Sequence, residues 1–258
     1  MASAKELIAA GDIYQVNLAQ RFFSSLPLSQ NLLPYYARLR ERSPAPMSAY
    51  LRQGHREVCS SSPELFLHLK QDHIETRPIK GTRPRFPEPE KDAHSAKELC
   101  ESAKEQAELL MITDLLRNDL GQICKFGTVQ VEALASLETL AHVHHLTSII
   151  SGKIHTEHNH LDALRACLPG GSITGAPKKR AREIIADLEP SPRGLYTGVV
   201  GYLGLNRESQ FNIAIRTAIR EKENIQFHVG AGIVADSDPE LEYEETLHKA
   251  RGIHLAFS

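Results

Sequence analysis

MSAYLRQGHREVCSSSPELFLHLKQDHIETR, residues 47–77, decides the fold. It holds four short segments in strand-like alternation, at about 47–52, 56–60, 64–69 and 73–77, the last two joined by a turn at Gln71-Asp72. No helix-length segment separates them. A parallel sheet needs a crossover, usually a helix, between successive strands, so strands that follow one another directly pair antiparallel.

The same reading extends both ways. Upstream, residues 3–10 read as a short helix stopped by Gly11. Residues 13–23 alternate as a strand, with Val16 and Leu18 against Gln15, Asn17 and Arg21, and residues 31–42 read as a helix. Downstream, the three prolines between Arg83 and Pro89 mark a loop. A long helix over 90–119 follows, ended by Gly121, with Ala96, Leu99, Ala103, Ala107 and Leu110 along its apolar face. Strands are expected at 127–132 and 142–154, then a helix at 160–167. Another helix is expected at 175–188, capped by Ser172 or Thr174 with Pro177 in its first turn. Strands at 195–204, 211–220 and 224–234 lead to a final helix, 239–255, capped by Asp238. The sum is an α+β architecture of two mostly antiparallel sheets with helices packed outside.

Composition narrows the function classes. The chain has 258 residues, 41% hydrophobic and 24% charged, with a formal net charge of −2. That fits a soluble globular protein with no global attraction to nucleic acid or an anionic membrane. No apolar run reaches the roughly 18 residues of a membrane span. The first residues lack the basic-then-apolar order of a signal peptide. Cys59, Cys100, Cys124 and Cys167 are far apart, which reads as reduced thiols in a cytoplasmic protein.

Chemistry concentrates at a few places. In Pro78-Ile79-Lys80-Gly81-Thr82 a lysine stands between a proline and a glycine, so a turn is expected to aim its amine. Glu108 sits where a solvated helix face turns apolar, which calls for a partner. Glu242 and Glu245 are three apart, with Lys249 four further on. Read alone they make a solvated charged face; as a pair of repelling carboxylates they suit a cation, and oxygen-only ligands point to Mg²⁺. Pro169-Gly170-Gly171-Ser172-Ile173-Thr174-Gly175 is a glycine-rich loop running towards a helix start. It is either an anion site, for a carboxylate as well as a phosphate, or a structural turn. In Phe211–Ala218 the alternate small residues leave Arg216 over a cleft floor, where a guanidinium suits a carboxylate. The strand Val229-Gly230-Ala231-Gly232-Ile233 offers bare backbone. His145 lies on a strand face with Val143 and Ile149, where a lone histidine is more often a satisfied core residue.

These motifs together resemble the chorismate-utilising enzyme family, over nearly the whole chain from Asp12-Ile13-Tyr14-Gln15-Val16-Asn17-Leu18 to Glu245-Thr246-Leu247-His248-Lys249-Ala250-Arg251. The resemblance implies a sandwich of two antiparallel sheets wrapped by helices. It implies Mg²⁺ held by Glu108, Glu242 and Glu245, and an enolpyruvyl carboxylate held by Arg216 and Tyr196. The ring carboxylate falls to Lys249 and the backbone of Gly230, Ala231 and Gly232. Thr174 and Gly175 stand beside the substrate, and Glu64 and His145 act as general acid/base groups. It also implies a separate glutamine amidotransferase subunit that supplies ammonia.

Two positions sort the branches. Family members that activate water carry lysine where this chain has Gln15, and anthranilate synthases carry alanine where it has Lys80. The chain therefore resembles the aminodeoxychorismate synthase branch, which makes the p-aminobenzoate and folate precursor 4-amino-4-deoxychorismate with a lysine nucleophile. Anthranilate or 2-amino-2-deoxyisochorismate synthesis, or a non-catalytic chorismate-binding or glutaminase-docking piece, are the alternatives. Residues 1–258 then form one chorismate-binding catalytic domain, apparently without the further region of roughly 150–200 residues, about one domain, that usually precedes the Asp12 motif.

Overall fold

In a computed structural model that describes residues 1–257, the chain divides into two compact units. One comprises Met1–Glu64, Pro169–Gly201 and the chain from Asn212 onward; the other comprises Leu65–Leu168 and Tyr202–Phe211.

Along the chain the elements are α1 (Ala2–Ala9), β1 (Gln15–Ser25), α2 (Leu33–Arg42), β2 (Met47–Gln53), β3 (Arg56–Ser62), β4 (Leu65–Lys70), β5 (His73–Arg77) and β6 (Ile79–Pro84). Next come α3 (Pro89–Glu101), α4 (Ala103–Gly121), β7 (Gln130–Thr139), β8 (Val143–Lys153) and α5 (His160–Cys167). A 3-10 turn (Gly171–Ile173) precedes β9 (Gly175–Ala176), α6 (Lys178–Leu188), β10 (Val199–Leu203), β11 (Glu208–Ile213), β12 (Thr217–Glu221), β13 (Asn224–Ile233) and α7 (Pro239–Phe257).

The expected α+β class with two antiparallel sheets is what forms. Six strands run in the order β2-β3-β12-β13-β1-β9. Seven make the other sheet, in the order β10-β11-β4-β5-β8-β6, with β7 also on β8. In the first unit, β1 turns Val16 into a cluster with Ile13, Ala181, Ile184, Ala231 and Ile233. A second cluster joins α2, β3, β12 and α7 through Leu39, Cys59, Ala218 and Ile253. In the second unit Leu99 and Leu109 pack on Leu146 of β8.

Four local expectations are corrected. Lys80 is not in a turn but on β6, beside a bulge: Lys80 pairs with Leu146 and Thr82 with His145, leaving Gly81 extra at φ +70°. The single helix over 90–119 is two, because Ser102 leaves helical geometry and its side chain accepts from the Glu105 N–H as the cap of α4. Helix 175–188 starts only at Lys178. Gly175 and Ala176 pair instead with Val16 and Gln15, and neither Ser172 nor Thr174 caps the helix. Gly175 has no room for a side chain, since a Cβ there would lie 2.2 Å from the Gln15 carbonyl oxygen. The strand expected at 211–220 is broken between Ile213 and Thr217, where Arg216 takes φ +47°.

Candidate active site

The second unit carries the lysine. The bulge at Gly81 sets Lys80 on β6 so that its Nζ donates to Glu108 Oε2 of α4 at 3.0 Å, with both side chains mostly buried. Glu108 thus has the partner its position demanded. Opposite the bulge, His145 is buried, and its Nδ1 lies 2.9 Å from Thr82 Oγ1 and 3.2 Å from the Gly81 carbonyl oxygen. A carbonyl only accepts, so this geometry assigns the proton to Nδ1.

The first unit carries the anion-binding groups and the helix carboxylates. Glu64 is buried and its Oε1 accepts from Ser172 Oγ at 2.6 Å, while Thr174 Oγ1 donates to the Gly170 carbonyl. The glycine-rich loop is therefore tied to Glu64 by a side chain of its own. The Arg216 guanidinium has no hydrogen-bond or ion-pair partner among the described residues, and desolvation lowers its pKa with nothing to offset it. An unpaired guanidinium held in a left-handed backbone conformation is costly to keep, and an anion is what relieves it. Tyr196 is buried; burial pushes its phenol well above the ordinary value, against the opposing pull of Arg193.

On α7, Asp238 caps the helix as expected, accepting from the Glu240 and Leu241 N–H groups. Glu242 is buried and accepts from Ser237 Oγ at 2.7 Å. Glu245 is half-exposed and pairs with Lys249 at 2.5 Å, while Lys249 Nζ also donates to the Gly230 carbonyl at 3.0 Å. Ala231 points away from this surface into the core cluster, so only its backbone is available to a ligand.

The donor chemistry of Glu242 and Glu245 fits Mg²⁺, which takes oxygen ligands and usually one or two protein carboxylates. No group of three or more acidic, histidine or cysteine side chains stands ready to hold a metal among the described residues. In this structure Glu108 is engaged by Lys80 instead.

Several polar groups escaped the sequence reading. Both amide atoms of Gln15, Oδ1 of Asn17 and both ring nitrogens of His228 are buried without a hydrogen-bond partner. The registers Asn17↔Gly232, Ala19↔Gly230 and Arg21↔His228 put all three side chains on the face of β1 and β13 that carries the two glycines. Period-2 spacing from Gly230 back to His228 was a signal that could have found the histidine. Arg193 and Glu189 were missed too. Arg193 donates to the carbonyls of Asn17 and Ile173 and pairs with Glu189, whose Oε1 accepts from the Ala19 N–H at 2.9 Å.

The sequence family described as chorismate binding enzyme matches residues 1–254. The chain belongs to that family. Among curated relatives of this chain is anthranilate synthase component 1 of Streptomyces coelicolor, 44% identical over 99% of this chain and 50% of that protein. Aminodeoxychorismate synthase component 1 of Escherichia coli is 45% identical over 96% of this chain and 54% of that protein. The chain thus spans about half the length of the curated relatives it matches. Among solved structures, anthranilate synthase component I of Streptococcus pneumoniae superposes with a TM-score of 0.89 at 36% identity, covering 98% of this chain and 55% of that one. The menaquinone-specific isochorismate synthase of Escherichia coli gives 0.86 at 25% identity, over 99% and 59% of the two chains.

Proposed function

We propose that this chain is the chorismate-binding catalytic region of an aminodeoxychorismate synthase component 1, aminating chorismate at carbon 4. The observation that carries the reading is the lysine: Lys80 is aimed by a bulge and fixed against Glu108 at 3.0 Å. Its amine attacks carbon 2 and gives its proton to Glu108 Oε2. Glu64, already hydrogen-bonded to Ser172, donates a proton to the carbon 4 hydroxyl, which leaves as water. Ammonia then forms the bond to carbon 4 and passes a proton to Glu64, while the lysine amine regains its proton from Glu108 and departs from carbon 2, keeping the enolpyruvyl group. Arg216 and Tyr196 hold the enolpyruvyl carboxylate. Lys249 and the Gly230–Gly232 backbone receive the ring carboxylate, beside Gln15, Thr174 and Gly175, and His145 assists proton transfer.

Glu242, Glu245 and Glu108 are the residues that would hold Mg²⁺, and the ion would supply neutralisation of substrate carboxylate charge and polarisation of the ring. A glutamine amidotransferase subunit supplies the ammonia in a cytoplasmic setting. The α7 carboxylates and the unpaired Arg216 support binding of a small dianion.

The relatives' names are divided between two products, which keeps anthranilate synthesis as the second reading. Incubation with chorismate, Mg²⁺ and ammonium, followed by mass-resolved chromatography, separates them. Aminodeoxychorismate supports the proposal, and Lys80→Ala is expected to cut its formation by at least about a hundredfold, within the range of covalent and acid–base contributions. Anthranilate, or amination unchanged in Lys80→Ala, overturns it. Binding without turnover identifies a binding piece instead.

A further inference from the structure

His228 is a buried histidine that makes no hydrogen bond in the protein. Each unsatisfied buried polar atom costs on the order of 1–3 kcal/mol, so stability alone does not account for an imidazole here. What the ring does do is stack. Its centroid lies 5.2 Å from that of Tyr196, with the two planes 16° apart. The guanidinium of Arg193 stands 5.6 Å from the centre of the same tyrosine ring, itself locked by Glu189 and two carbonyls.

The hydroxyl end lies over bare glycine backbone. A Cβ built on Gly230 would meet Asn17 Oδ1 at 2.6 Å and the Tyr196 hydroxyl at 2.9 Å, so both oxygens crowd one point above the glycine. Asn17 Oδ1 has no donor of its own. Gln15, Asn17 and His228, three buried side chains with unpartnered polar atoms, lie on this one face around bare glycine backbone. Such a face awaits a ligand or ordered water; it is not built as packing surface.

We propose that His228 is a positioning residue for Tyr196: it fixes the plane of the tyrosine ring by stacking. The functional consequence rests on the reading of Tyr196 as a carboxylate-holding group; the seating itself does not. A tyrosine whose ring cannot turn binds an anion with little ordering cost.

The test separates seating from binding. The ring motion of Tyr196 is followed by NMR in the full chain with selectively ¹³C-labelled tyrosine, assigned by Tyr196→Phe. The expected result is a slowly flipping ring in the native protein, a rapidly averaged one in His228→Leu, and a native-like one in His228→Phe, which keeps a flat partner. Chorismate affinity is measured in parallel: His228→Leu is expected to weaken it about tenfold, and to add nothing in a Tyr196→Phe background.

A ring that moves equally in native protein and His228→Leu overturns the seating. Equal weakening with and without the tyrosine hydroxyl overturns action through Tyr196. Unchanged affinity in Tyr196→Phe overturns only the carboxylate reading, since the ring dynamics still report on the seat. If His228→Leu does not fold, His228→Gln, which also removes the ring, carries the comparison.

Discussion

Arg216, half-buried, and His228, buried, are two basic side chains with opposite demands. Arg216 is ionised and unpaired, so Arg216→Gln removes an electrostatic burden as well as a ligand contact. Chorismate affinity is expected to fall about ten- to a hundredfold, the worth of a charged hydrogen bond. The thermal midpoint without ligand should stay level or rise; a drop in the midpoint matching the loss of affinity would show that Arg216 is structural. His228 is held neutral, because burial lowers its pKa more than Glu189 restores it, with Arg21 and Arg193 adding to the depression. As pH falls through the ordinary histidine value of 6.5, the unfolded chain takes up this proton before the native one does. The native state therefore loses stability progressively below that value, and the loss stops once the folded imidazole itself protonates. Urea midpoints measured from pH 7.5 to 5 should fall more steeply in the native protein than in His228→Phe. Parallel slopes would remove His228 from the acid response.

At the scale of elements, the bulge in β6 and the buried ion pair on β3 bear the most weight. A side chain at Gly81 would meet Leu99 Cδ1 at 2.6 Å in a backbone region that disfavours it. Gly81→Ala should cost at least about 1 kcal/mol and slow amination together. Stability lost with full activity would detach the bulge from the lysine's task. Glu57 takes hydrogen bonds from the Leu32 N–H and the Tyr50 hydroxyl, and lies 3.1 Å from Arg220. Burial pushes its carboxyl up, but those three partners outweigh it and hold the pKa below the usual range. Glu57→Gln leaves Arg220 buried against an uncharged amide and should cost roughly 3–5 kcal/mol in the urea midpoint. The run of strands in residues 47–77 was legible because alternation and turn residues are local properties. The helix over 90–119 looked continuous because its apolar period runs through Ser102, and only the cap geometry reveals the break. Arg216 was found by composition but misplaced on a strand, since nothing local announces a left-handed arginine. The carboxylates of α7 were visible at helical spacing. The Tyr196 seat was not, because it stacks a tyrosine ahead of β10 on a histidine of β13, and nothing in the local sequence announces that meeting.

For the whole molecule, ligand linkage is the direct measure of an assembled site. Chorismate with Mg²⁺ at about a hundred times its dissociation constant should add about 2.7 kcal/mol to unfolding stability, read as a rise in the thermal midpoint. A midpoint that does not move at saturating ligand would mean that residues 1–258 do not bind on their own. The contacts that Glu189 and Arg193 make along β1 bear on a different property, how the molecule keeps to itself. On the edge of β1 away from β13, no strand continues β9 past Val16; the Thr174 carbonyl, Glu189 and Arg193 occupy the Asn17 N–H, the Ala19 N–H and the Asn17 carbonyl there instead. Side chains standing in for a strand leave an intruding peptide nothing to zip onto. Arg193→Ala and Glu189→Ala uncover that edge, and light scattering should then register concentration-dependent self-association that the native chain resists.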